Sequence, residues 1–89
     1  MATETTTPSL SHVRSEINAL DSRLLVLLAE RLELSRKVIQ LKDVANMNVR
    51  DEARERDLIH QRVTDGRALG LEAHFVTTIV HEIIADSIR

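Results

Sequence analysis

Ten positions of this chain fall on one line: Leu10, Val13, Ile17, Leu20, Leu24, Leu27, Arg31, Leu34, Val38 and Leu41 follow at steps of three and four. Alternating those steps keeps side chains on one face of an α-helix, which is the spacing of a coiled-coil seam. Leu25, Leu28 and Ile39 widen it into the stripe of a helix packed in a bundle. Thr7 or Ser9 suits the N-cap, and Pro8 fits the first turn, where a missing N–H does no harm. At ~1.5 Å per residue such a helix runs roughly 48 Å. A chain of 89 residues hides only about two-thirds of its unfolded surface when it folds alone. The remainder of so small a protomer cannot cover that seam.

The rest of the chain continues in helices. Lys42 to Asn48 loses the repeat, and Asn46 and Asn48 suit a loop. Asn48 or Asp51 can cap a second helix, with Asp51, Glu52 and Glu55 near its positive end. This helix reaches about Leu69 and is mostly polar, with Leu58, Ile59 and Val63 as its apolar face. Gly66 is expected to weaken its last turns, and Gly70 to end it in a left-handed conformation. A third helix is expected from Glu72 or Ala73 to the end of the chain, with Phe75, Val76, Ile79, Val80, Ile83, Ile84 and Ile88 on one broad face. The expected fold is all-α in one domain over residues 1–89, the first eight frayed.

Composition removes most other classes. With two Gly and one Pro, a turn-rich sandwich or barrel has no punctuation. One Phe, no Tyr and no Trp leave the core to Leu, Ile, Val and Ala. A net charge of -2 without a basic block argues against nucleic acid or a membrane surface as partner, and Phe75 alone cannot stack bases. No cysteine means no disulfide and no thiolate site. No metal site is expected: His81-Glu82 lacks a second His four residues on, and His12, His60 and His74 are scattered and read as surface residues. No leader or membrane span is visible, so a cytoplasmic protein is expected.

The charges within the pattern point to binding. Arg31 holds a seam position suited to Leu or Ile, and a buried guanidinium needs a negative partner. From spacing alone it is a seam Arg that snorkels or pairs with Glu30 or Glu33; the other reading is an anion site. Lys42 follows eleven residues later, about 20° from the same face and ~16 Å along the axis, within reach of one small ligand. Arg14 lies beside the seam but ~25 Å from Arg31 on its own helix. If two copies cross antiparallel near Leu24 and Leu25, Arg14 of one falls opposite about position 36 of the other, between Arg31 and Lys42. Glu55 shares the side of Leu58 and Ile59, and Arg54 can pair with it or with Asp51, although a solvated charge run explains that stretch as well. Ser87 on the third helix is accounted for by a bond to its own backbone. Cations without a nucleophile or a pair of carboxylates for acid–base work suggest binding, or catalysis by positioning and electrostatics.

The stretch Val13-Arg14-Ser15-Glu16-Ile17-Asn18-Ala19-Leu20-Asp21, then Leu24-Leu25 and Leu27-Leu28-Ala29-Glu30-Arg31, resembles the first helix of the all-helical chorismate mutases. Val49-Arg50-Asp51 through Arg54-Glu55-Arg56-Asp57-Leu58 is similar to the same family. So are Gly70-Leu71-Glu72-Ala73-His74-Phe75 and Ile83-Ile84-Ala85-Asp86-Ser87. The nearest likeness is to the mutase domain fused to prephenate dehydratase in bacteria, over about residues 9–89. The resemblance implies a three-helix protomer with one long N-terminal helix, intertwined with its twin in an antiparallel homodimer. It implies the Claisen rearrangement of chorismate to prephenate without cofactor or metal. Arg31 and Arg14 of the other protomer would bind the substrate's two carboxylates. Lys42 would contact a carboxylate and the ether oxygen, Glu55 with the Asp51 region would hold the ring hydroxyl, and Ser87 would assist a carboxylate. Arg31, Lys42 and Glu55 are thereby the expected catalytic residues, with Arg54 in support. For Arg31, Glu55 and Ser87 the resemblance reverses the preference that spacing alone gives.

One departure bears on rate. The family usually places a Gln one turn beyond this serine on the ether oxygen, two residues past Arg89. Either that residue belongs to a longer form of the chain, or the contact is missing or supplied otherwise; where the donor is lacking, binding is expected to persist and turnover to fall. Isochorismate pyruvate lyase shares the fold and the cations and is the alternative enzyme, though Val49-Arg50-Asp51 and Arg54-Glu55 resemble the mutases more. A non-catalytic helical dimerisation or regulatory module would use the seam without needing Arg31.

Overall fold

The computed structural model describes residues 9–45, 47 and 51–88. They form α1 (Leu10–Val44), α2 (Glu52–Ala68) and α3 (Ala73–Ser87), with no strand among the described residues. The all-α expectation holds. The roles expected of Thr7 and Pro8, the fraying of residues 1–8, the loop residues Asn46 and Asn48, Asn48 as a cap, Val49, Arg50 and Arg89 lie outside the described residues.

The helix ends follow local chemistry. Ser9 opens α1, its Oγ accepting the His12 N–H at 3.1 Å and its carbonyl the Val13 N–H at 3.1 Å. Asp51 caps α2, accepting the Arg54 N–H on Oδ1 at 3.0 Å. At the other end of α2 the Leu71 N–H reaches the Gly66 carbonyl at 2.9 Å and the Gly70 N–H the Arg67 carbonyl at 3.1 Å. These two bonds make a Schellman motif, and Gly70 takes the left-handed position it requires, at φ 88°. After that turn Glu72 leads into α3 in extended conformation, and its carbonyl accepts the Val76 N–H at 3.1 Å. The third helix ends at Ser87, with Ile88 as its C-cap, just short of the expected chain end.

By contacts the chain divides into two compact units, Met1–Arg31 and Leu32–Arg89. In the first, the seam residues Leu10, Val13, Ile17, Leu20, Leu24 and Leu27 are all exposed, and among its described residues only Leu28 and Arg31 are half-buried. In the second, α2 and α3 pack against each other around Leu58, Val76, Val80 and Ile84, with Ile59 and Val63 against that cluster. The apolar face of α2 is therefore the expected one. The broad face of α3 is split, because Phe75 and Ile79 remain 52% and 41% exposed while Val76, Val80 and Ile84 are buried. A single mostly polar helix covers one stripe of α3 and leaves the other open.

Gly66 corrects the expectation of a weak point. It is buried, and a Cβ there would stand 2.7 Å from Val76 Cγ2. Glycine's helix penalty of about 1 kcal/mol is accepted where it allows α2 to approach the core of α3.

Candidate active site

Burial along the last turns of α1 is periodic. Leu32, Ser35, Ile39 and Lys42 are half-buried, whereas Leu34, Val38 and Leu41 stay exposed. The helix thus has an inward stripe and, beside it, an uncovered aliphatic seam. Lys42 stands on the inward stripe in the final turn, where the negative end of the helix dipole favours a cation. Its carbonyl accepts the Met47 N–H at 2.7 Å, which fixes the turn beyond it.

Glu55 is half-buried in the first turn of α2, one turn before buried Leu58. Helical spacing places it over the edge of the core, as its distance from Leu58 and Ile59 predicts. Asp51 is exposed, with one carboxylate oxygen committed to the cap of α2 and its carbonyl accepting the Glu55 N–H at 3.0 Å. Arg54 meets Asp51 through its backbone N–H, and its side chain is exposed.

Ser87 lies half-buried at the end of α3 and donates its hydroxyl proton to the Ile84 carbonyl at 2.7 Å. That is the local bond that spacing alone suggests. A hydroxyl so engaged keeps its lone pairs for a donor, and must turn away from Ile84 to donate to a carboxylate. Ser87 lines a groove of about 450 Å³ with Leu32, Arg36, Ile39, Gln40 and Asp86. The volume suits a small molecule. Lys42, Asp51 and Glu55 do not line it.

Of the expected set, Lys42, Asp51, Glu55 and Ser87 belong to the second unit, and Arg14 and Arg31 to the first. Arg14 is exposed and Arg31 half-buried, an intermediate state for a charge at a seam position. The sequence pattern does not single out Arg36 and Gln40, which line the groove, or Ser35, which is half-buried on the inward stripe but does not line it. For Ser35 a signal existed, since it follows Arg31 by four residues and precedes Lys42 by seven, both helical repeats. Arg36 and Gln40 owe their place to what α3 brings opposite them, which spacing on α1 does not encode.

Among the described residues no group of three or more His, Cys, Asp or Glu could hold a metal ion, and His12, His60, His74 and His81 are exposed. No helix among the described residues is long and apolar enough to cross a membrane.

Residues 13–89 match the family model of chorismate mutase type II. The bifunctional chorismate mutase/prephenate dehydratase of Escherichia coli K12 is 46% identical over 76 residues, which cover 85% of this chain and 20% of that protein. The protein of the same description from Enterobacter agglomerans is 40% identical over 76 residues, 85% of this chain and 20% of its own length. That from Buchnera aphidicola of Acyrthosiphon pisum is 34% identical over 80 residues, 90% of this chain and 21% of its own length. The chain thus spans about a fifth of the length of the curated relatives it matches. The family match extends through all three helices and both sets of charged residues, so the chain belongs to the chorismate mutase type II family.

Proposed function

We propose that this chain is a chorismate mutase domain, which converts chorismate to prephenate in a cationic pocket built by two copies. The observation that carries the reading is the family match over residues 13–89. It is supported by a half-buried Arg31 in an otherwise aliphatic seam and by Lys42 on the inward stripe of α1. Cations placed partly out of water beside apolar surface suit a small dicarboxylate ligand.

In this reading two protomers entwine with their long α1 helices crossing antiparallel near Leu24. The exposed seam is then covered by itself, and each pocket receives Arg14 from the other copy. Arg31 and the partner's Arg14 bind the two carboxylates and hold the substrate folded, with the atoms to be joined in contact. Lys42 faces a carboxylate and the ether oxygen of the breaking bond. As that bond lengthens, negative charge grows on the oxygen, and a fixed ammonium stabilises it more than it stabilises the ground state. Glu55, oriented by the first turn of α2, holds the ring hydroxyl with the Asp51 region. Ser87 assists a carboxylate after releasing the Ile84 carbonyl. The step is unimolecular, so no group on the protein need become covalently attached.

The test is incubation of the purified chain with chorismate, following loss of its absorbance, with light scattering for mass. Conversion to prephenate by a species of twice the chain mass is expected. Release of pyruvate from isochorismate without chorismate turnover would assign the lyase instead. An Arg31→Leu variant that is more stable and consumes chorismate unchanged would leave only a dimerisation module.

A further inference from the structure

The inward stripe of α1 in the second unit is Leu32, Ser35, Ile39 and Lys42, while residues 33, 34, 36, 37, 38, 40 and 41 are exposed. Ser35 is the small polar member of that stripe. It lies about 20° round the helix from Lys42 and ~10 Å before it, and one helical turn after Arg31. Lys42, whose side chain leans toward the helix N-terminus, starts out in the direction of Ser35. In an antiparallel crossing near Leu24 and Leu25, the partner's Arg14 also falls opposite about position 36, beside Ser35. In that crossing Ser35 would be a short donor side chain bordered by cations.

A half-buried hydroxyl between Leu32 and Ile39 needs a hydrogen bond once a ligand excludes water from it. Ser87, the serine that the family resemblance assigns to a carboxylate, already donates to Ile84 at 2.7 Å. We propose that Ser35 is a further substrate-binding residue, its hydroxyl donating to a carboxylate of the dianion that the mutase reading places at Lys42, and its small side chain forming the pocket floor. The proposal rests on the mutase reading. A bond to a carboxylate is charge-assisted and present in both ground and transition states, so its loss weakens KM more than kcat.

Full-length Ser35→Ala and Ser35→Leu test it, with steady-state kinetics on chorismate and thermal unfolding. Ser35→Ala is expected to raise KM about ten-fold, keep kcat within about two-fold, and leave Tm equal or higher, since Ala is the better helix former. A loss of affinity with no loss of stability cannot come from structural damage. Ser35→Leu is expected to fill the floor and lower kcat/KM by about a hundred-fold or more while the helical circular dichroism persists. An alanine variant with KM within two-fold of the parent overturns the role of the hydroxyl, and a leucine variant with parental kcat/KM overturns the placement. Should Ser35→Leu fail to fold, Ser35→Ala decides alone. The parent's own turnover separates the two levels: an inactive parent sinks the mutase reading and this proposal, whereas an active parent with an unaffected Ser35→Ala sinks this proposal only.

Discussion

The hairpin of α2 and α3 and the first unit of the chain solve the problem of apolar surface in opposite ways. In the hairpin, Leu58, Val76, Val80 and Ile84 are about nine-tenths buried by each other's helices, and Gly66 lets the two helices close. In α1 no residue is buried at all, although Leu20, Leu24 and Leu27 are each more than half exposed. Both segments carry aliphatic stripes, so the presence of such a stripe does not by itself separate them. The difference is in where the covering surface comes from. A four-residue core stabilises a hairpin locally; an open seam of this length requires surface from outside its own unit. Charge follows the same division. Arg14 and Arg31 stand on the uncovered helix, where a second copy can add to them, while Asp51, Glu55 and Ser87 are held in place by caps and turns of the hairpin.

The strongest way to break this contrast is to place a charge in the seam. Leu24→Glu puts an unpaired carboxylate near the proposed two-fold crossing, at an expected cost of several kcal/mol in each copy. The expected result is loss of the dimer by light scattering and loss of chorismate turnover with helical content largely retained. Parental mass and turnover in that variant would mean that α1 is covered in some other way. In the hairpin, Ile84→Ala should cost ~2–5 kcal/mol, because it empties a core with few neighbours to collapse into the space. Denaturant unfolding measures it, and a change below 1 kcal/mol would show that the cluster is not the stabilising core.

Smaller changes sharpen the picture. Gly66→Ala should destabilise by about 1–2 kcal/mol despite alanine's higher helix propensity, since Val76 is branched and has little freedom to move. A stabilised variant would mean that α2 and α3 sit further apart. Asp51→Ala should cost about 1 kcal/mol of stability through the lost cap, and Asp51→Asn should restore most of it. If chorismate turnover falls equally in both variants, Asp51 contributes its charge to the site; if it falls only with Ala, Asp51 acts by holding the start of α2.

Much of this was legible in the chain because the signals are local. Seam spacing, the Ser9 and Asp51 caps, the Gly70 turn and the Leu58, Ile59 and Val63 stripe depend on residues a few positions apart. The division of α3 into a buried and an open stripe was not legible, as Phe75 and Val76 are both strongly apolar and only the position of α2 chooses between them. Gly66 reads as a helix weakness until Val76, ten residues away, is seen against it. In the proposed site, Arg31 and Lys42 announce themselves as charges in an apolar pattern. Ser35 does not, because serine is unremarkable in composition and only its inward placement between two cations gives it meaning.

Mixed dimers test the central claim most directly. Arg14→Ala and Arg31→Ala chains are each expected to be inactive alone. Unfolded together in equal amounts and refolded, they should form heterodimers in which one of the two pockets regains both arginines. Random pairing then restores about a quarter of parental chorismate turnover. If each pocket takes its Arg14 and Arg31 from the same protomer, no mixture can restore activity, and a mixture as inactive as its components would contradict a pocket shared between two copies.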